Sequence, residues 1–244
     1  MYTIQPLKVG EFHGEPGPKM FYLSDWDRTY TTCFYFWYIE GAGTRILLDV
    51  GFPPEENIMA GMVMRPAWRA EARLRQIEIE PGSIEHVVVS HLHFDHLSSN
   101  INLFPNARLY LQRKEFETAV SPPHPWFAAF YLPSIVQRLE GDLRSRLELI
   151  DGDKEILPGL RLSWVGGHTP GQQVVFLPTA KGRRTCLASD LCILYRHAEE
   201  DIPIGVCSSL VEVYQAMARL RREADAIIPN HDPRLEQEFP LPAA

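Results

Sequence analysis

At 244 residues, 45% hydrophobic and 23% charged, the chain has the composition of an ordinary folded protein, which excludes disorder, collagen and coiled coil. The length fits one large domain or two small ones, and one domain spanning residues 1–244 is expected. Acidic residues number 31 and basic residues 24, and the formal charge of −7 argues against non-specific nucleic-acid binding, which needs a basic footprint.

The opening residues Met1-Tyr2-Thr3-Ile4-Gln5-Pro6-Leu7-Lys8 lack a basic start followed by an apolar stretch, so no signal peptide is expected. The first β-prone run is residues 34–39, rich in aromatics and far short of the roughly 18 apolar residues of a membrane helix, so no membrane partner is expected. Residues 46–50 form a second strand that ends in a turn at Gly51. Residues 67–77 read as a helix. Residues 87–90 are short, apolar and β-branched, and 109–111 follow as another strand. The proline-dense stretch from Ser121 to Pro125 reads as a loop, and residues 134–139 as a short helix. Residues 160–165 alternate with period two; 174–177, 186–188 and 226–228 complete the strands. Between them, Leu210, Val213, Tyr214, Met217 and Leu220 line one face of a helix over 209–222, with Ser209 and Glu212 spaced as a capping box. Two batches of strands, each with helices, suit layers of helix, sheet, sheet and helix. The four cysteines include no C-x-x-C pair; three lie in apolar surroundings as buried thiols, which suits a reduced cytoplasm.

Chemistry concentrates at Ser90-His91-Leu92-His93-Phe94-Asp95-His96, directly after a buried-type strand. An extended chain alternates faces, so His91 and His93 point to one side. Asp95 and His96 swing to an adjacent position as the chain turns, and one loop thereby feeds two neighbouring metal ions. Imidazole and carboxylate suit zinc, and also iron, manganese or cobalt. The alternative is a polar loop rich in histidine by chance, but three of nine histidines fall within six residues. Burying them unpaired is costly. Further ligand types end other apolar strands: His168 in a glycine-rich turn, Asp190, and His231. Each is weak alone.

The pattern H-x-H-x-D-H followed by His168, Asp190 and His231 resembles the metallo-β-lactamase superfamily. The likeness spans nearly the whole chain, because Asp49 in Leu48-Asp49-Val50-Gly51 is similar to that superfamily's early Asp-x-Gly turn. The resemblance implies a four-layer αβ/βα sandwich and two divalent ions, zinc first. His91, His93 and His168 would hold one, Asp95, His96 and His231 the other, with Asp190 bridging. Asp190 sets the chain apart from true β-lactamases and leaves lactonases, glyoxalase-II-like thioesterases and tRNA-processing nucleases, the last opposed by the acidic charge. Flavodiiron oxidases have glutamate where His93 stands.

Among these the chain is most similar to the N-acyl homoserine lactone lactonases, in residues 4–10, in Asp201-Ile202-Pro203 before a helix, and in residues 229–233. The implied reaction is opening of a lactone ring by hydroxide, with Asp95 steering water or passing a proton to the leaving group. A thioesterase, a hydrolase of another ester or lactone, and a mononuclear iron persulfide dioxygenase are the alternatives. One departure is clear: these lactonases carry a tyrosine three residues after the bridging aspartate, and here that position is Ile193. Tyr195 is the catalytic substitute, or else a packed aromatic. Phe116, Trp126, Phe127, Phe130 and Tyr131 form a hydrophobic lid over an acyl chain, core packing, or a homodimer contact; Met20-Phe21-Tyr22 adds to the same wall. His13, His86, His124 and His197 read as surface or loop residues. No Gly-x-Ser-x-Gly elbow is present.

Overall fold

Along residues 34–39 every side chain is large and apolar, so a strand there must be covered on both faces. The computed structural model describes residues 1–242 and shows how this is met. A six-stranded sheet runs in the order β1 (Tyr2–Pro16), β2 (Thr29–Gly41), β3 (Thr44–Leu48), β4 (His86–Val88), β5 (Arg108–Gln112) and β6 (Leu147–Ile150). The first three strands pair antiparallel and β3 to β6 pair parallel. The other sheet has five strands, β7 (Lys154–Leu157), β8 (Leu160–Trp164), β9 (Gln173–Pro178), β10 (Arg184–Leu187) and β11 (Ala226–Ile228), antiparallel except for the parallel β10–β11 pair.

Among the described residues, seven α-helices surround them: α1 (Gly17–Met20), α2 (Ala70–Gln76), α3 (Arg113–Val120), α4 (Pro133–Glu140), α5 (Tyr195–Glu200), α6 (Leu210–Glu223) and α7 (Leu235–Glu238). Alternation sorts the core into three layers. Tyr35, Trp37 and Ile39 meet Leu162, Val175 and Leu177 between the sheets. Phe34, Phe36 and Leu47 face Leu74 of α2 and Ile135 and Leu139 of α4. Val174 and Phe176 face Val213, Met217 and Leu220 of α6. The result is the αβ/βα sandwich. Each such wholly buried side chain contributes about 1.5–3 kcal/mol. Among the described residues, no helix is long and apolar enough to cross a membrane.

Several elements depart from the expected bounds. The expected strand at 87–90 stops at Val88, because Ser90 O accepts from Gln173 N of the other sheet at 2.9 Å. Gln173 also donates through Nε2 to Val89 O at 2.7 Å and Tyr110 O at 3.1 Å, joining both sheets where the chain leaves β4. β7 and α3 carry too many charges for an apolar pattern to show, and β6 is a run of only four residues. The Ser209 cap forms, with its Oγ accepting from Glu212 N at 3.2 Å. Glu212 does not reach back to Ser209; its carboxylate accepts from Gly167 N at 3.1 Å, in the loop after β8.

Candidate metal centre

The loops after β3 and β4 are fixed to each other before any ligand is placed. Asp49 N donates to Val88 O at 2.8 Å and Val50 N to His96 O at 2.9 Å. The wholly buried Asp49 carboxylate accepts from Ser90 N at 2.7 Å, Ser90 Oγ at 2.8 Å and His96 Nδ1 at 2.8 Å. Burial pushes its pKa up, with the bonds from His96 and Ser90 opposing. Asp49 has φ of 65°, a left-handed turn that aspartate tolerates better than most residues.

His168 sits after Gly166 and Gly167, both at positive φ. A Cβ on Gly167 would stand 2.8 Å from Val213 Cγ2, so only glycine lets this turn approach α6. Asp190 lies in the turn after β10. His231 follows β11, its N donating to Ile193 O at 3.0 Å and its ring meeting that of Phe34 edge-on, with centroids 5.0 Å apart.

Outer nitrogens fix the rings. His168 Nδ1 donates to Val206 O at 2.8 Å, His231 Nδ1 to Cys33 O at 2.9 Å and His96 Nδ1 to Asp49; His91 Nδ1 lies 3.1 Å from Ser90 Oγ. Such outer partners leave each Nε2 with its lone pair facing inward. In one group, His91 Nε2 and His168 Nε2 lie 3.0 and 3.1 Å from His93 Nδ1. Burial, and then the neighbouring imidazoles, hold the pKa values of His91 and His93 well below the usual histidine range. In the other group, His96 Nε2 is 3.2 Å from both Asp95 Oδ2 and Asp190 Oδ1, and His231 Nε2 is 2.9 Å from Asp190 Oδ1. Burial alone would lower His96, but Asp95, Asp190 and Asp49 outweigh it and hold it well above its ordinary value. Asp190 Oδ2 stands 3.6 Å from His168 Nε2, so this carboxylate touches both groups.

The donor set fits cations. Within each group the ligand atoms lie within 4.8 Å of one another. Three imidazole nitrogens converge at 3.0 and 3.1 Å, and His96 Nε2 is wholly buried without a hydrogen-bond partner. A divalent ion in each group satisfies them. Protein stripped by a chelator and reloaded with Zn2+ is therefore expected to unfold at a higher temperature than the stripped form. At free ion about 1,000 times Kd the stabilisation is about 4 kcal/mol. Identical midpoints would show that the groups bind no ion.

The structure thus brings together His91, His93, Asp95, His96, His168, Asp190 and His231. It does not bring Tyr195, which corrects that expectation. Ile193 is tied to His231 and lines the cavity over the cluster, but two residues later the chain has entered α5. There Tyr195 OH donates to Glu238 Oε2 at 2.5 Å, beneath the Arg234 guanidinium. His197 is also corrected: it is buried, stacked on Phe21 at 4.5 Å, with Nδ1 donating to Ile202 O at 2.8 Å. The aromatic stretch divides. Phe130 lines the cavity, Trp126 is half exposed beside a smaller pocket at His93 and His168, and Phe116 packs into the core.

Missed from the sequence was Glu115 of α3, wholly buried. It accepts from Leu92 N at 3.0 Å, Gly171 N at 2.9 Å and Tyr131 OH at 2.7 Å. It clasps the loop of His91 and His93 to that of His168. Between Lys114 and Phe116 nothing distinguished it from a solvated helix residue. Above the cluster lies a cavity open to solvent, with Met20, Phe34, Met59, Phe94 and Ile193 among its apolar walls.

A family model described as Metallo-beta-lactamase superfamily matches residues 29–225. An N-acyl homoserine lactonase of Bacillus thuringiensis is 27% identical over 208 residues, covering 79% of this chain and 78% of that one. N-acyl homoserine lactonase AttM of Azorhizobium caulinodans is 30% identical over 183 residues, covering 70% and 66%. The fold matches a solved quorum-quenching N-acyl homoserine lactone lactonase with a TM-score of 0.79 at 22% identity, over 98% of this chain and 95% of that one. It also matches AidC, described as a dizinc quorum-quenching lactonase, at 0.74 and 17% identity, over 95% and 88%.

Proposed function

Because the chain belongs to the metallo-beta-lactamase superfamily, we propose that it hydrolyses the ring ester of a lactone, with N-acyl homoserine lactones as the substrate class. The observation that carries this reading is the pair of buried ligand groups joined by Asp190 beneath an apolar cavity. The related lactonases favour it over the thioesterase.

His91, His93 and His168 would hold one divalent ion, Asp95, His96 and His231 a second, and Asp190 both; zinc suits these ligands best. Bound there, the ions supply Lewis acidity that polarises a carbonyl and acidifies water. The chain's own groups do the rest. Ser90, Asp49, Val206 and Cys33 hold four imidazoles in the tautomer that presents Nε2 inward. Asp95 borders the cavity and carries a proton from water to the leaving alcohol oxygen. The acyl carbon gains the water oxygen, the acyl–oxygen bond breaks, and the products are a carboxylate and an alcohol. The apolar walls take the acyl chain and exclude competing water. Four free cysteines support a reducing, cytoplasmic setting.

The test is turnover by zinc-loaded protein of N-hexanoyl homoserine lactone and of S-lactoylglutathione, followed by proton release and by free thiol. Ring opening with one proton released per lactone is expected. Hydrolysis of the thioester alone would overturn the reading.

A further inference from the structure

Above the ligand cluster that forms its floor the cavity is apolar except for one wall, and that wall is built by a defect in β1. Regular alternation from the exposed His13 would turn Glu15 outward as well. A register shift between His13 and Glu15, with Gly14 at φ of 94°, rotates Glu15 inward instead. Glu15 is 4% exposed and lines the cavity, and its carboxylate accepts from Lys19 Nζ of α1 at 2.9 Å. Lys19 lines it too. Beside them, on the paired strand β2, Thr32 is also 4% exposed and lines the same space. Thr32 shares a strand face with Phe34, whose edge meets His231, so it stands next to the ligand cluster.

The Thr32 hydroxyl has no hydrogen-bond partner. A buried hydroxyl left unpaired is destabilising, and a packed core would place valine there. Lys19 carries three donors and meets one carboxylate, so it has donors to spare. The wall therefore holds a buried unpaired hydroxyl and, at its solvent-exposed rim, a lysine with free donors, which together complement a secondary amide. Ile193, on the cavity wall near Asp190, offers neither.

We propose that Thr32 and Lys19 form the subsite that reads the amide of an N-acylated lactone. Thr32 Oγ1 accepts from the amide N–H, Lys19 Nζ donates to the amide carbonyl, and Glu15 holds Lys19 in place. The assignment rests on the lactonase reading above and deepens it, since the subsite selects N-acyl lactones over alkyl lactones of equal length.

The experiment compares kcat/KM for N-hexanoyl homoserine lactone and for α-hexyl-γ-butyrolactone, which carries an alkyl chain on the same ring carbon but no amide. In Thr32→Val the ratio of the two is expected to fall on the order of tenfold, in Lys19→Met similarly, and Thr32→Ser is expected to restore it. The thermal midpoint of Thr32→Val is expected to hold or rise, because an unpaired hydroxyl has been removed. An equal fall for both lactones, or no change in the ratio, would overturn the subsite. If the wild type opens neither lactone, the functional reading fails by itself. The subsite is then read by equilibrium binding of N-butylhexanamide, expected to weaken about tenfold in Thr32→Val and contradicted by equal affinity.

Discussion

Asp190→Asn is expected to lower kcat/KM for a lactone by more than about 100-fold, the upper range lost when only an outer partner of a ligand is removed. The reason lies in how both oxygens are used. Oδ1 stands 2.9 Å from His231 Nε2 and 3.2 Å from His96 Nε2, while Oδ2 stands 3.6 Å from His168 Nε2. Asparagine keeps the shape but puts an NH2 where an oxygen would face a cation, and it removes one negative charge from a wholly buried cluster. His96 and His231 then lose a counter-charge, which in buried pairs costs about 3–5 kcal/mol. Elemental analysis after gel filtration is expected to fall below two ions per chain. A variant that keeps two ions and full turnover would refute the ligand assignment.

The legibility of this site from sequence followed distance along the chain. His91, His93, Asp95 and His96 could be read together because a short strand ends at Val88 and delivers them within one turn. His168, Asp190 and His231 were legible only as residues ending apolar strands. What joins them is tertiary: Val206 and Cys33 orient His168 and His231 from 38 and 198 residues away. The layering was legible because both faces of 34–39 are apolar, and sandwich order follows from that. Tyr195 was misplaced because sequence spacing does not say where a strand end becomes a helix; the backbone bond from His231 N keeps Ile193 at the cavity and the helix carries Tyr195 to Glu238. His197 was misread because its ring is buried by Phe21, a contact between residues with no shared local pattern. Glu15 was invisible because a bulge, not alternation, turns it inward.

Glu115 was invisible for a different reason, and it carries the other large effect. α3 looks solvated in sequence, yet Gly171 approaches it so closely that a Cβ there would lie 2.1 Å from Glu115 N. The carboxylate is thereby enclosed, and burial raises its pKa while Tyr131 and the Leu92 and Gly171 amides oppose the rise. Glu115→Ala strands two buried amides, from Leu92 and Gly171, at about 1–3 kcal/mol each. It also opens a small void, and a total loss of about 3–5 kcal/mol is expected in urea unfolding. Tyr131→Phe removes only the third donor, so its loss is expected near 1 kcal/mol. The two variants separate a clasp from a mere buried acid. If Glu115 positions the loops of His91, His93 and His168, zinc affinity falls about 10- to 100-fold in Glu115→Ala even where the protein is fully folded. If it only fills space, stability falls and zinc affinity does not. Titration with a competing chromophoric chelator below the unfolding transition distinguishes these outcomes, and the first is expected because both backbone donors belong to the two ligand-bearing loops.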